Sequence, residues 1–175
     1  MGNIWIVTKR EFASFFATPV AYVFIAIFLM LSGIFTFFIG NLYERGQADL
    51  IPFFNFHPWL YLFLVPAIAM RSWAEERKSG SIELLMTLPI TVAEAVLGKF
   101  IAAWLVLGLS MALTFPLWLS VDFLGEPDHG IIVAAYIGSW IMAGAFLAIS
   151  TCMSAFTRNQ VVAFILAVVV CFLFV

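Results

Sequence analysis

Two stretches of this chain, residues 100–121 and 131–153, contain no aspartate, glutamate, lysine or arginine. Each matches or exceeds the roughly 20 residues that a helix needs to cross a bilayer. A run of that length without charge offers water no face to solvate. The rest of the chain is of the same kind: 65% of residues are apolar, 10% are charged, and the mean hydropathy is +1.11. A soluble domain carries about 45–50% apolar and about 25% charged residues. A water-soluble fold is excluded, and 175 residues give room for about five spans but no separate soluble catalytic domain. The fold class expected is all-α, a polytopic helical membrane protein made of a single transmembrane domain.

Residues 3–17 read as an amphipathic helix on the membrane surface, with Ile4, Trp5, Phe12, Phe15 and Phe16 on one side and Lys9, Arg10 and Glu11 on the other. Thr18 and Pro19 suit a helix start, the threonine as cap and the proline at the first helical position. Spans are expected at 20–39, 56–73, 100–121, 131–153 and 161–175. The second is interrupted by Pro66 and follows a loop over 41–55. The fifth would be only about 22 Å long at 1.5 Å per residue, short of about 30 Å of hydrocarbon. The expectation is therefore a C-terminally truncated fragment of a longer chain. With these spans, Lys9, Arg10, Arg71, Arg77, Lys78, Lys99 and Arg158 share one side and Arg45 stands alone on the other. The basic side, which includes the N-terminus, is expected in the cytoplasm and the protein in the cell (inner) membrane.

Several functions are disfavoured by what the residues lack. A net charge of −2 with scattered basic residues gives no surface for nucleic acid. Ion-coupled transport needs ionisable groups within the helices, and the well-defined spans hold none. His57 and His129 are expected at the outer interface, solvated. Gly98-Lys99 has no glycine five residues before Gly98 and is followed by Phe100, so it is no phosphate-binding loop. Cys152 and Cys171 lie in apolar runs and read as buried small hydrophobes. The spacing of Met, Cys and His supports no metal path. Energy for transport must therefore come from a partner.

The one sustained polar stretch, 71–99, is where a partner would act. Ala74 to Lys78 extends the second span as a charged helix end, Ser79-Gly80-Ser81 breaks it, and Pro89 ends a short helix that begins at Ile82. Thr91 and Glu94 have the spacing of a capping box, so the third span is expected to begin there and run in through Lys99. Glu75, Glu76, Arg77, Ser79, Gly80, Glu83, Leu84, Leu85, Leu88 and Pro89 together resemble the coupling-helix motif of permeases in the type-2 ATP-binding-cassette (ABC-2) exporter family. Lys9 to Phe16 and Thr18 to Tyr22 look most like a subgroup that includes gliding-motility permeases and those serving copper-enzyme maturation.

The resemblance implies a permease of six spans that is not itself an enzyme and binds no cofactor, with ATP and Mg held by a partner ATPase. Segment 75–89 would dock that ATP-binding subunit, and a second permease, identical or related, would complete the membrane part within the lipid. Export powered by ATP is the function implied. Alternatives are a mechanotransmission permease driving an extracytoplasmic assembly and a non-transporting membrane scaffold. Ala135, Ser139 and Ala143 recur every four residues, a spacing that lets helices approach closely. No residue identifies a cargo.

Overall fold

The computed structural model describes residues 2–44, 46, 49–81 and 90–175, and every regular element among them is helical. They are α1 (Gly2–Ala17), α2 (Val20–Ile34), α3 (Ile51–Asn55), α4 (His57–Ala69), α5 (Arg71–Ser79), α6 (Val92–Ala112), α7 (Phe115–Leu124), α8 (His129–Phe156) and α9 (Gln160–Phe172). A π-helical turn, Phe35–Ile39, prolongs α2 and closes with Gly40 N–H donating to Phe35 O at 2.7 Å. Three helical stretches are long and apolar enough to cross a membrane: Val20–Ile39, Val92–Leu124 and His129–Phe156. Their outward faces carry large apolar side chains such as Leu105, Leu109, Ile137 and Ile141, the pattern of a bundle whose solvent is hydrocarbon.

The core lies where α4 and α8 meet, with α2, α6 and α9 around them. Tyr61, Leu62, Val65 and Ile68 of α4 are buried against Ala143, Phe146 and Leu147 of α8. The Tyr61 hydroxyl shares a 2.9 Å hydrogen bond with Ser139 Oγ and also reaches Met111 Sδ at 3.1 Å. Ser139 and Ala143 are thus on the packed face of α8 and Ala135 is half-buried. A second cluster, Leu42, Leu50, Phe53, Val121 and Ile132, closes the end of the bundle away from Lys99.

Several expectations change. The loop over 41–55 contains a helix, α3, with Pro52 in its first turn where no N–H donor is needed. The third span breaks at Leu113 and Thr114: Pro116 lacks the N–H that would continue the ladder, and the Thr114 hydroxyl bonds Met111 O at 2.6 Å and Tyr136 Oη at 2.9 Å. Thr18 does not cap α2. Its hydroxyl donates backwards to Ser14 O at 3.1 Å, a carbonyl at the end of α1 that also accepts the Thr18 N–H. Cys171 is buried, but Cys152 is exposed on the outer face of α8. His57 is not interfacial. It is 0% exposed and enclosed by Phe28, Phe53, Phe54 and Tyr61, and neither ring nitrogen has a hydrogen-bond partner.

Candidate functional site

At the end of the bundle opposite His57, α1, α5 and α6 converge on one ammonium group. Lys99, only 5% exposed, places Nζ 2.7 Å from Glu76 Oε1 of α5 and 3.3 Å from Glu11 Oε2 of α1. The Trp73 ring lies 5.4 Å from the same nitrogen, within reach of a cation–π attraction. A buried lysine needs such partners, because an unpaired ammonium removed from water is too costly to keep. Lys99 therefore fastens the surface helix and the polar extension of α4 to the first turns of α6.

The approach of α1 to α6 depends on the residue just before. A Cβ on Gly98 would stand 2.6 Å from Val7 Cγ1 and 2.7 Å from Val7 Cβ, closer than carbon atoms can come. The Gly-Lys pair, useless as a phosphate loop, works as a docking point: the glycine admits Val7 and the lysine grips Glu11. The docked stripe of α1 runs through Ile4, Val7, Thr8, Glu11 and Phe15, spaced as one helical face. Glu11 thus belongs with the packed side, and the sequence-based assignment to the polar side is corrected. Trp5 is exposed instead.

The joint between α4 and α5 is held from α8. Where the helix breaks at Met70, the N–H groups of Trp73 and Ala74 donate to Ser154 Oγ at 3.2 and 3.1 Å, and the Ser154 hydroxyl donates to Met70 O at 2.9 Å. One buried serine satisfies three backbone groups that the break leaves without helical partners. Beyond the joint, Arg71 bonds Glu75 at 2.8 Å. That hydrogen bond, helped by the cation's charge, holds the Glu75 carboxyl below the usual carboxylate range. Arg77, Lys78, Ser79 and Gly80 are exposed, and Gly80, with φ 74°, ends α5 in the left-handed conformation that glycine adopts without strain. The Thr91–Glu94 capping box then opens α6.

These features join α1, the jointed α4–α5 pair and the long apolar α6 at one end of an all-helical membrane domain. The ABC-2 family transporter protein model matches residues 34–175. The chain belongs to the ABC-2 transporter family. No curated protein matches it. As an ABC-2 chain it is a membrane component of an ABC-type transporter. The matched residues include Glu76, Lys99 and Ser154, whereas Glu11 and the rest of α1 precede them.

Of the coupling-motif residues, this ABC-2 chain places Glu75 and Glu76 beside Arg71 and Lys99, and Arg77, Ser79 and Gly80 at the exposed tip of α5. Glu83, Leu84, Leu85, Leu88 and Pro89 lie outside the described residues. The sequence alone gave no role to Ser154, and it took Lys99 only as one more basic residue near the membrane. An isolated lysine at the mouth of an apolar run was the one signal for the latter. Among the described residues, no three His, Cys, Asp or Glu side chains are grouped to hold a metal ion.

Proposed function

We propose that the chain is the membrane-spanning permease subunit of an ATP-binding-cassette exporter, driven by a separate ATPase that carries ATP and Mg. The observation that supports this reading is the Lys99 junction. Motion imposed on α5 reaches α6 through Glu76 and α1 through Glu11, while Ser154 passes it to α8. A segment so tied transmits displacement to three parts of the bundle without chemistry of its own. The segment over 75–89, with Arg77 at the tip of α5 and Glu83 in the motif, docks the ATP-binding subunit on the cytoplasmic side, and a second permease completes the complex.

Glu76 already neutralises Lys99, so reversing its charge would disturb the fold as well as the docking surface. The cleaner test reverses Arg77 and Glu83 together in the tagged full-length chain, followed by mild-detergent purification with the co-expressed ATPase. Loss of the ATPase, with the permease still in the membrane, is the expected result. Undiminished co-purification and ATP turnover would remove the docking role from this segment.

A further inference from the structure

A cleft of about 540 Å³ opens between α1 and α5, beside the Lys99 junction. Its apolar lining includes Phe15 and Ile68, and Ile68 is part of the buried core. Its polar lining combines the hydroxyl side chains of Ser14, Thr18 and Ser72 with six charged groups. Arg10, Arg71 and Lys99 supply three positive charges, and Glu11, Glu75 and Glu76 supply three negative ones. Lys99 is enclosed between Glu11 and Glu76, which leaves Arg10 paired with Glu11 at 2.7 Å and Arg71 paired with Glu75 at 2.8 Å as the accessible groups.

That balance selects the ligand. A simple anion would have to draw a guanidinium away from its carboxylate and leave the carboxylate unpaired, and a simple cation would do the reverse. A zwitterion carries both charges, so its anionic group can take up the two guanidinium groups while its ammonium takes up the Glu75 carboxylate and Glu11 keeps Lys99, all through charge-assisted hydrogen bonds. The position selects further. Val20, the first residue of the spanning helix α2, lines the same cleft, and α1 has the character of a helix at the membrane surface. On that placement the cleft stands at the depth of lipid headgroups, with Phe15 and Ile68 as its apolar side.

We propose that this cleft binds the headgroup of a zwitterionic phospholipid bearing a primary ammonium, as a resident lipid and not as cargo. Its phosphate lies against the Arg10 and Arg71 guanidinium groups and its ammonium against the Glu75 carboxylate. A primary ammonium is favoured over a quaternary one because only the former has N–H groups to donate to a carboxylate.

The test is native mass spectrometry of the delipidated full-length chain, titrated with phosphatidylethanolamine, phosphatidylcholine and phosphatidylglycerol of identical acyl chains. The ethanolamine lipid should bind roughly tenfold more tightly than either of the others, a difference of about 1.4 kcal/mol. The Arg71→Gln/Glu75→Gln variant should lose that preference while keeping wild-type helicity and elution volume. Should that variant misfold, Arg10→Gln alone provides the same comparison at an exposed side chain. Equal retention of the three lipids would overturn the proposal and leave only non-selective lipid contact, and preference for the anionic lipid, or a preference that survives the substitutions, would equally overturn it. Displacement by free phosphoethanolamine at concentrations comparable to the lipid would equally refute a phospholipid and indicate a soluble zwitterion. None of these readouts depends on an ATPase partner, so failure here leaves the exporter reading standing.

Discussion

Trp104 and Trp140 exchange hydrogen bonds: each indole N–H donates to the other residue's backbone carbonyl, at 3.0 and 3.3 Å, while the two rings stack with centroids 4.3 Å apart. Each ring lies over a glycine one turn further along the opposite helix. A Cβ on Gly108 would come within 2.9 Å of Trp140 Nε1, and one on Gly144 within 3.0 Å of Trp104 Nε1. The crossing of α6 and α8 is thus set by a tryptophan and a glycine four residues apart in each helix. Gly108→Ala and Gly144→Ala should each destabilise the protein by about 1–3 kcal/mol through overpacking. In a double-mutant cycle, Trp104→Phe and Trp140→Phe should couple by more than about 0.5 kcal/mol. Thermal unfolding in detergent provides the measurement, and additive tryptophan effects would argue against the reciprocal pair.

Replacing Lys99 by methionine should leave Glu11 and Glu76 facing each other without a counter-charge. Breaking a fully buried pair costs about 3–5 kcal/mol; here the carboxylates keep 19% and 20% exposure, so about 2 kcal/mol is expected. The triple variant Glu11→Gln/Lys99→Met/Glu76→Gln should recover most of it, because no charge is then left unpaired. A triple variant as unstable as Lys99→Met would mean that the lysine acts through packing alone.

Gly98→Ala should lift α1 from α6, since the added methyl group meets Val7 head on. Limited proteolysis should then cut near residues 17–19 faster than in the wild type. Val7→Ala, introduced together with Gly98→Ala, should restore protection. If the single glycine variant is cut no faster, the close approach of these helices is not needed to hold α1.

At the other end of the bundle, His57→Phe should raise the melting temperature. Two buried ring nitrogens without partners each forgo hydration for nothing in return, whereas phenylalanine suits the ring cluster formed by Phe28, Phe53 and Tyr61. A gain of about 1 kcal/mol is expected, and His57→Ala, which leaves a cavity, should lose stability instead. Destabilisation by both substitutions would show that the imidazole is wanted where it is.

Features encoded within a few residues were legible from the sequence. Thr91 and Glu94 announce their capping box, Gly80 its helix end, and the charge-free runs their passage through a membrane. Groups whose partners are remote in the chain were not. Glu11 looked polar and therefore outward, because only Lys99, far along the sequence, makes its inward position favourable. Ser154 reads as one small residue among many until the break at Met70 presents three backbone groups to it. His57 was misplaced because a histidine beside proline at a helix start resembles an interfacial residue; Phe53, Phe54 and Tyr61 stand nearby in the sequence, but only the packing of Phe28 from α2 shows that the rings close over it.

The Lys99 junction also bears on the order in which the molecule is made. Glu11 leaves the ribosome long before Lys99, so α1, with only the neighbouring Arg10 for Glu11 to meet, cannot dock until α2, α4 and α5 have been synthesised and α6 has begun. During that interval the newborn helix stays undocked, with the face that carries Trp5 and Ile6 free as it is in the finished fold. Its final attachment therefore cannot precede the first turns of α6, and it reports that this helix has arrived in register.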